Sequence, residues 1–271
     1  MCAVGMTHNP RIFYTRSPPK NDVKNRVLEI FTQLKKIRDE TGPNLLIVVG
    51  NHHLTTFLEI IPSFSIGFSE YAEGPTSFEV EAGIPHYKCR VDVNAAEHLI
   101  WQSLENEFDV ARVFEFVLDH AFTIPLTFVA PSMDIPIIPV ITNVHLPPIP
   151  NPVRFFKLGQ VIRRAVETFD ENKKVGIIAS FNLSLNVGNE KMGVYDRSFD
   201  LYVTNFIEKG KLEELVTEIS LSRLYNAGNA SVELLNLFTL FGAIGNKEPC
   251  ICFNEIVEGW GTISAVGWRF V

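Results

Sequence analysis

The chain has 271 residues, 46% of them hydrophobic and 20% charged, with a formal net charge of −7 at pH 7. This acidity excludes the basic footprint of a nucleic-acid or anionic-membrane binder, and the apolar runs at 45–49 and 135–141 are too short to span a bilayer. What remains is a folded composition with enough apolar material for one domain over residues 1–271.

Residues 1–6 read as a short apolar strand that runs into Thr7-His8-Asn9-Pro10. From Val23 to Glu40, Val23, Val27, Ile30, Phe31, Leu34 and Ile37 fall on one helical stripe, stopped by Gly42-Pro43. Asn44 to Gly50 is a continuous apolar run of the kind buried on both faces of a sheet, and Asn51-His52-His53 follows it. Residues 62–92 look irregular, rich in Gly, Pro and Phe, and suited to line or cover a pocket. Val93 to Glu107 is a helix with Asn94 as a candidate N-cap. Ala111 to Leu118 reads as a strand closed by Asp119-His120.

Ile135 to Thr142 is another buried strand, followed by a proline-rich loop at 147–152 and a helix from Arg154 to Asp170. Val175 to Ser180 is a strand leading into Phe181-Asn182-Leu183-Ser184-Leu185. Helices are expected over Ser198 to Lys209, Lys211 to Ser220 and Ser231 to Gly245, then closing strands over Cys250 to Val257 and Gly261 to Phe270. Alternating strands and helices predict an α/β fold: a central mixed β-sheet with helices on both faces. The N-terminus shows no leader pattern. Cys2, Cys89, Cys250 and Cys252 have neither zinc-site nor disulfide-framework spacing, so a reduced, cytoplasmic setting is expected.

His8, His52-His53 and His120 each lie just past a predicted strand. Strand ends in such a sheet converge on one edge. Two imidazoles and a carboxylate on one face of an ion form the facial triad of non-haem Fe(II) oxygenases, so a metal cleft is expected at one sheet edge. Spacing alone leaves Glu233, Glu79, Asp119 and Asp134 open as the carboxylate.

Several stretches in order resemble the class III extradiol ring-cleaving dioxygenases, the family of the protocatechuate 4,5-dioxygenase catalytic subunit and 2,3-dihydroxyphenylpropionate dioxygenase. They are Thr7-His8-Asn9-Pro10; Gly50-Asn51-His52-His53 with Phe57; Ile61 to Gly67; Asp119 to Leu126; Pro148 to Glu167; and Glu233-Leu234-Leu235-Asn236-Leu237-Phe238 with Gly242-Ala243. In the last of these a family tryptophan is replaced. The resemblance implies Fe(II) held by His8, His53 and Glu233, and His120 near the substrate. It further implies a small aromatic substrate, O₂ and at least a homodimer, or a pairing with a homologous subunit.

One family position differs. Where the pattern runs Gly-Gly-Leu/Met-Ser-His, this chain has Phe181-Asn182-Leu183-Ser184-Leu185, so Leu185 stands where the family keeps an acid–base histidine. Losing such a group typically costs about 10²- to 10⁴-fold in rate. His52, His145 and His86 are candidates to replace its proton work, and Leu185 and Phe181 would make that wall of the pocket apolar. A metal-binding subunit without activity and a zinc hydrolase on the same scaffold are the alternative readings.

Overall fold

The computed structural model describes residues 1–13, 21–257 and 260–270. In chain order the elements are β1 (Cys2–Thr7), α1 (Asn21–Thr41), β2 (Leu45–Asn51), β3 (Phe64–Gly67), β4 (Tyr71–Gly74), α2 (Ser77–Glu81) and β5 (Tyr87–Arg90). They continue with α3 (Val93–Glu105), β6 (Ala111–Val113), α4 (His120–Val129), β7 (Ile137–Thr142), α5 (Pro152–Glu167) and β8 (Val175–Phe181). The remainder is α6 (Arg197–Glu208), α7 (Leu212–Glu218), α8 (Leu221–Ala227), α9 (Leu234–Ile244), β9 (Ile251–Val257) and β10 (Gly261–Arg269).

Among the described residues the main sheet has eight strands in the order β6-β3-β7-β2-β8-β1-β10-β9. The central four, β7, β2, β8 and β1, are mutually parallel, so their carboxyl ends share one edge. Antiparallel strands flank them, β3 against β7 on one side and β10 against β1 on the other. Every residue of these four central strands is buried, as their unbroken apolar runs require.

Register shows that helices cover both faces. Gly5 and Val49 both pair with Ala179, which puts them on one face and Gly50 on the other. Gly5 lies under Leu237 of α9, whereas Gly50 lies against the Phe122 ring of α4. Gly267, which pairs with Val4, shares the α4 face and meets Leu34 and Ile37 of α1. On the opposite face α5 packs tightly on α9: a Cβ on Gly159 would sit 1.9 Å from the Thr239 carbonyl oxygen, and one on Gly242 1.9 Å from that of Phe156. Among the described residues no helix is long and apolar enough to cross a membrane.

Four expectations are corrected. Residues 62–92 are not irregular; they hold β3, α2 and the two-stranded β4–β5 sheet. The strand expected at 111–118 is only Ala111–Val113, since β6 lies at the edge of the sheet and, among the described residues, pairs only with β3. The cap of α3 is Asp92, whose carboxylate accepts from the Ala95 amide, rather than Asn94. Helix α8 was not expected, and Glu233 ends a 3₁₀ turn (Ser231–Glu233) that leads into α9.

Candidate metal centre

The parallel strands deliver the site. His8 follows β1, His53 follows β2, His145 lies three residues past β7, and Asn182 and Leu185 follow β8. His120 opens α4, and Glu233 stands at the entrance to α9. All six side chains line one cleft of about 380 Å³ together with Asn182, a size suited to a small organic ligand.

Both Nε2 atoms of the expected imidazole pair point at one carboxylate. His8 Nε2 is 3.1 Å from Glu233 Oε2, and His53 Nε2 is 3.2 Å from Oε1. Their Nδ1 atoms are held from behind, His8 by the Ser180 hydroxyl at 2.7 Å and His53 by Asp119 Oδ2 at 3.2 Å. Outer partners on the second ring nitrogen are what orients a metal-binding histidine. Nitrogen and oxygen donors of His8, His53 and His120 lie within 4.8 Å of one another, as do those of His53, His145 and Glu233.

Asn51 tests what this arrangement lacks. Its Oδ1 accepts from Asn236 Nδ2, so its own Nδ2 faces the histidines, 3.1 Å from the Nε2 atoms of both His53 and His145. A proton on either Nε2 would serve Glu233 and oppose Asn51; a lone pair would do the reverse. A cation between the nitrogen lone pairs and the carboxylate removes the conflict with Glu233, so the donor set fits a divalent ion.

The charges point the same way. Burial works against an ionised Glu233, but His8, His145 and His53 around it hold its carboxyl well below the usual range. Burial also opposes charge on His53, yet Asp119 and Glu233 outweigh it and raise its pKa to about 10. The site thus draws in positive charge, and a bound metal would displace that proton. His120 behaves differently. Burial and the neighbouring His53 lower its pKa, and its Nδ1 donates to Glu79 Oε1 at 2.6 Å. With its proton on Nδ1, a neutral His120 leaves an Nε2 lone pair available.

A family model described as the catalytic LigB subunit of aromatic ring-opening dioxygenase matches residues 2–266. The chain belongs to this family. Gallate dioxygenase of Pseudomonas putida KT2440 is 30% identical over 153 residues, which cover 55% of this chain and 44% of that protein. The 2,3-dihydroxyphenylpropionate/2,3-dihydroxicinnamic acid 1,2-dioxygenase of Photorhabdus laumondii is 27% identical over 69% of this chain and 56% of its own length. The chain spans about half the length of the curated relatives it matches. Among solved structures, uncharacterized protein JW3007 from Escherichia coli K12 superposes with a TM-score of 0.62 at 15% identity, covering 98% of this chain and 99% of that one. That likeness speaks to the fold alone.

Two residues expected in the site of this LigB-family chain lie elsewhere. His52 is buried and turned away from the cleft: its ring packs edge-on to Phe57 at 5.0 Å, and its Nδ1 has no partner among the described residues. Adjacent residues at a strand end point to opposite sides, so only one of His52 and His53 can enter the cleft. Phe181 is buried under the sheet against Gly5 and is no part of the pocket wall. Leu185 does line the cleft, as does His145, while His86 is exposed and remote from it. The other carboxylates open at the outset have other partners: Glu79 holds His120, Asp119 holds His53, and Asp134 accepts from Ser132.

Several residues were not foreseen. Asn182 donates to Glu233 Oε2. Asn236 bonds Asn51, Thr142 and the Ser180 carbonyl, joining three strand ends. Its signal was present: an amide side chain three positions after Glu233 in an otherwise largely apolar helix shares that residue's face. The Glu79 partner was likewise marked by Thr76-x-x-Glu79, a capping box at the start of α2.

The wall bearing Leu185 is anchored by Asp200 of α6, which accepts from the Ser184 amide at 2.8 Å and from the Thr262 hydroxyl. Burial raises the Asp200 pKa. A raised carboxylate pKa means stability that is complete below the unfolded-state value, about 3.9, and declines as pH rises past it. Asp200→Asn is therefore expected to leave the melting temperature near that of the natural protein at about pH 4 and to raise it at pH 7. A gain of 1 kcal/mol corresponds to about 2–4 °C in a chain of this size. Thermal unfolding of both proteins across that pH range checks the sign.

Proposed function

We propose that this chain opens a catechol-type aromatic ring with O₂, using Fe(II) held by His8, His53 and Glu233. The observation that carries the reading is the approach of His8 Nε2 and His53 Nε2 to the two oxygens of Glu233, at 3.1 and 3.2 Å, with both rings anchored at Nδ1. When bound, Fe(II) supplies the redox chemistry between ring and O₂. The protein's own part is positioning and proton handling.

His120 stacks on His53 with ring centroids 4.0 Å apart, and its free Nε2 can accept a hydroxyl proton from a substrate in the cleft. Leu185, Val187, Met192 and Trp260 supply apolar wall for an aromatic ring. Arg11 brings a cation to the same cleft. With relatives named for gallate and 2,3-dihydroxyphenylpropionate, this supports a hydroxylated aromatic acid as the substrate class.

Leu185 favours a second reading, in which the chain binds metal but does not turn over. Anaerobic reconstitution with Fe(II), then O₂ uptake over a panel of catechols, aminophenols and hydroxypyridines, separates the two. Uptake by the natural protein that is lost in His8→Ala establishes an oxygenase. Iron binding without uptake, with uptake appearing in Leu185→His, establishes the silent subunit. Zinc retention with hydrolysis and no O₂ consumption would replace both.

A further inference from the structure

We infer that His145 is a fourth protein donor to the cation at this centre, which is then built from three imidazoles and one carboxylate. The inference rests on the reading of His8, His53 and Glu233 as ligands. It concerns a residue that follows β7, whereas the lost family histidine would follow β8.

Distances carry the first part of the argument. Donors bonded to one ion at about 2.1 Å and set at right angles lie roughly 3.0 Å from each other. The contacts of His8 and His53 with Glu233, at 3.1 and 3.2 Å, match that spacing. His145 Nε2 lies 3.0 Å from Glu233 Oε1, so it meets the same criterion as the two expected ligands.

The orientation of Asn51 carries the second part. Because Asn51 Oδ1 is engaged by Asn236, the group facing His145 Nε2 at 3.1 Å is the amide NH₂, a donor. With its proton on Nδ1, His145 turns a lone pair at Nε2 toward both Asn51 and Glu233. A lone pair and a carboxylate oxygen at 3.0 Å repel unless a cation lies between them, and that lone pair bonds either the Asn51 amide or the cation, not both.

The backbone on either side of this histidine is fixed. Asn143 brackets it, accepting from the Leu146 amide at 3.0 Å and donating to the Leu146 carbonyl at 2.7 Å, with Val144 fully buried. His145 Nδ1 has no hydrogen-bond partner among the described residues, whereas His8 and His53 are both anchored there. His145 is accordingly the least constrained of the four donors. Four protein donors leave two positions on a six-coordinate ion, where a facial triad leaves three.

The test is Co(II) binding to metal-free protein, followed by titration and by X-ray absorption at the cobalt edge. The natural protein is expected to show three imidazoles. His145→Ala and His145→Gln are expected to show two, with Co(II) affinity reduced at least about ten-fold. An unchanged imidazole count in the variants overturns the inference, whatever happens to the affinity. His8→Ala and Glu233→Ala report on the underlying site: if they bind Co(II) as the natural protein does, the ligand reading itself fails. If they lose it while His145→Ala keeps every imidazole, only the fourth donor falls. Thermal unfolding of the metal-free variants shows that each is folded.

Discussion

Glu233→Gln is expected to abolish the proposed ring opening and to weaken Fe(II) or Co(II) binding by more than roughly 100-fold, since even an outer partner of a metal ligand typically contributes about 10- to 100-fold. Glutamine keeps the volume of the side chain and an oxygen for Asn182 to donate to, so the loss would not come from unfolding. It removes the negative charge around which the site is arranged: His8, His53 and His145 all approach this one carboxylate within 3.2 Å. Metal titration of the purified variant, with its melting temperature as the control for folding, checks the effect. Metal affinity close to that of the natural protein would remove Glu233 from the centre.

Gly242→Ala is expected to cost about 3 kcal/mol or more and to lower soluble yield sharply. The added Cβ would lie 1.9 Å from the Phe156 carbonyl oxygen and 3.0 Å from the Gln160 nitrogen, both backbone atoms of a helix that cannot yield singly. The reciprocal Gly159→Ala would meet the Thr239 carbonyl oxygen in the same way. Gly42→Ala is the contrasting case. Gly42 has φ +56° and nothing within 4 Å of its would-be Cβ, so only the left-handed backbone is penalised, by about 1–2 kcal/mol. Urea unfolding of the three variants should rank the two helix-crossing glycines well below Gly42. Equal costs would mean that α5 and α9 are free to move apart. Because α9 begins immediately after Glu233, loosening this crossing is also expected to disturb the site.

Much of the architecture was legible because its signals are local. The runs at 45–50 and 175–180 are apolar without alternation, and only a strand covered on both faces accommodates that. The helical stripe from Val23 to Ile37 packs on the sheet as its spacing implies. His8 and His53 stood out because each directly follows such a strand. Elements with short or exposed segments were less readable: β3 to β5 are four residues each, and residues 114–117 have β-type composition but pair with no strand.

The amino-acid sequence by itself determined the α/β class, the strands buried on both faces and the set of polar residues at strand ends, because periodicity and burial are written along the chain. Only the tertiary structure decided which of those residues meet. His52 and His53 are neighbours in sequence, yet one packs on Phe57 and the other faces Glu233, a choice made by the pleat at the end of β2. By spacing alone Glu79 and Asp119 were equal candidates with Glu233, and the fold gives each of them its own histidine partner. His145 gained its place beside Glu233 from the position of β7 next to β2, a long-range pairing that no local pattern encodes. Side-chain chemistry is local, but the distances that turn it into a site depend on strand order.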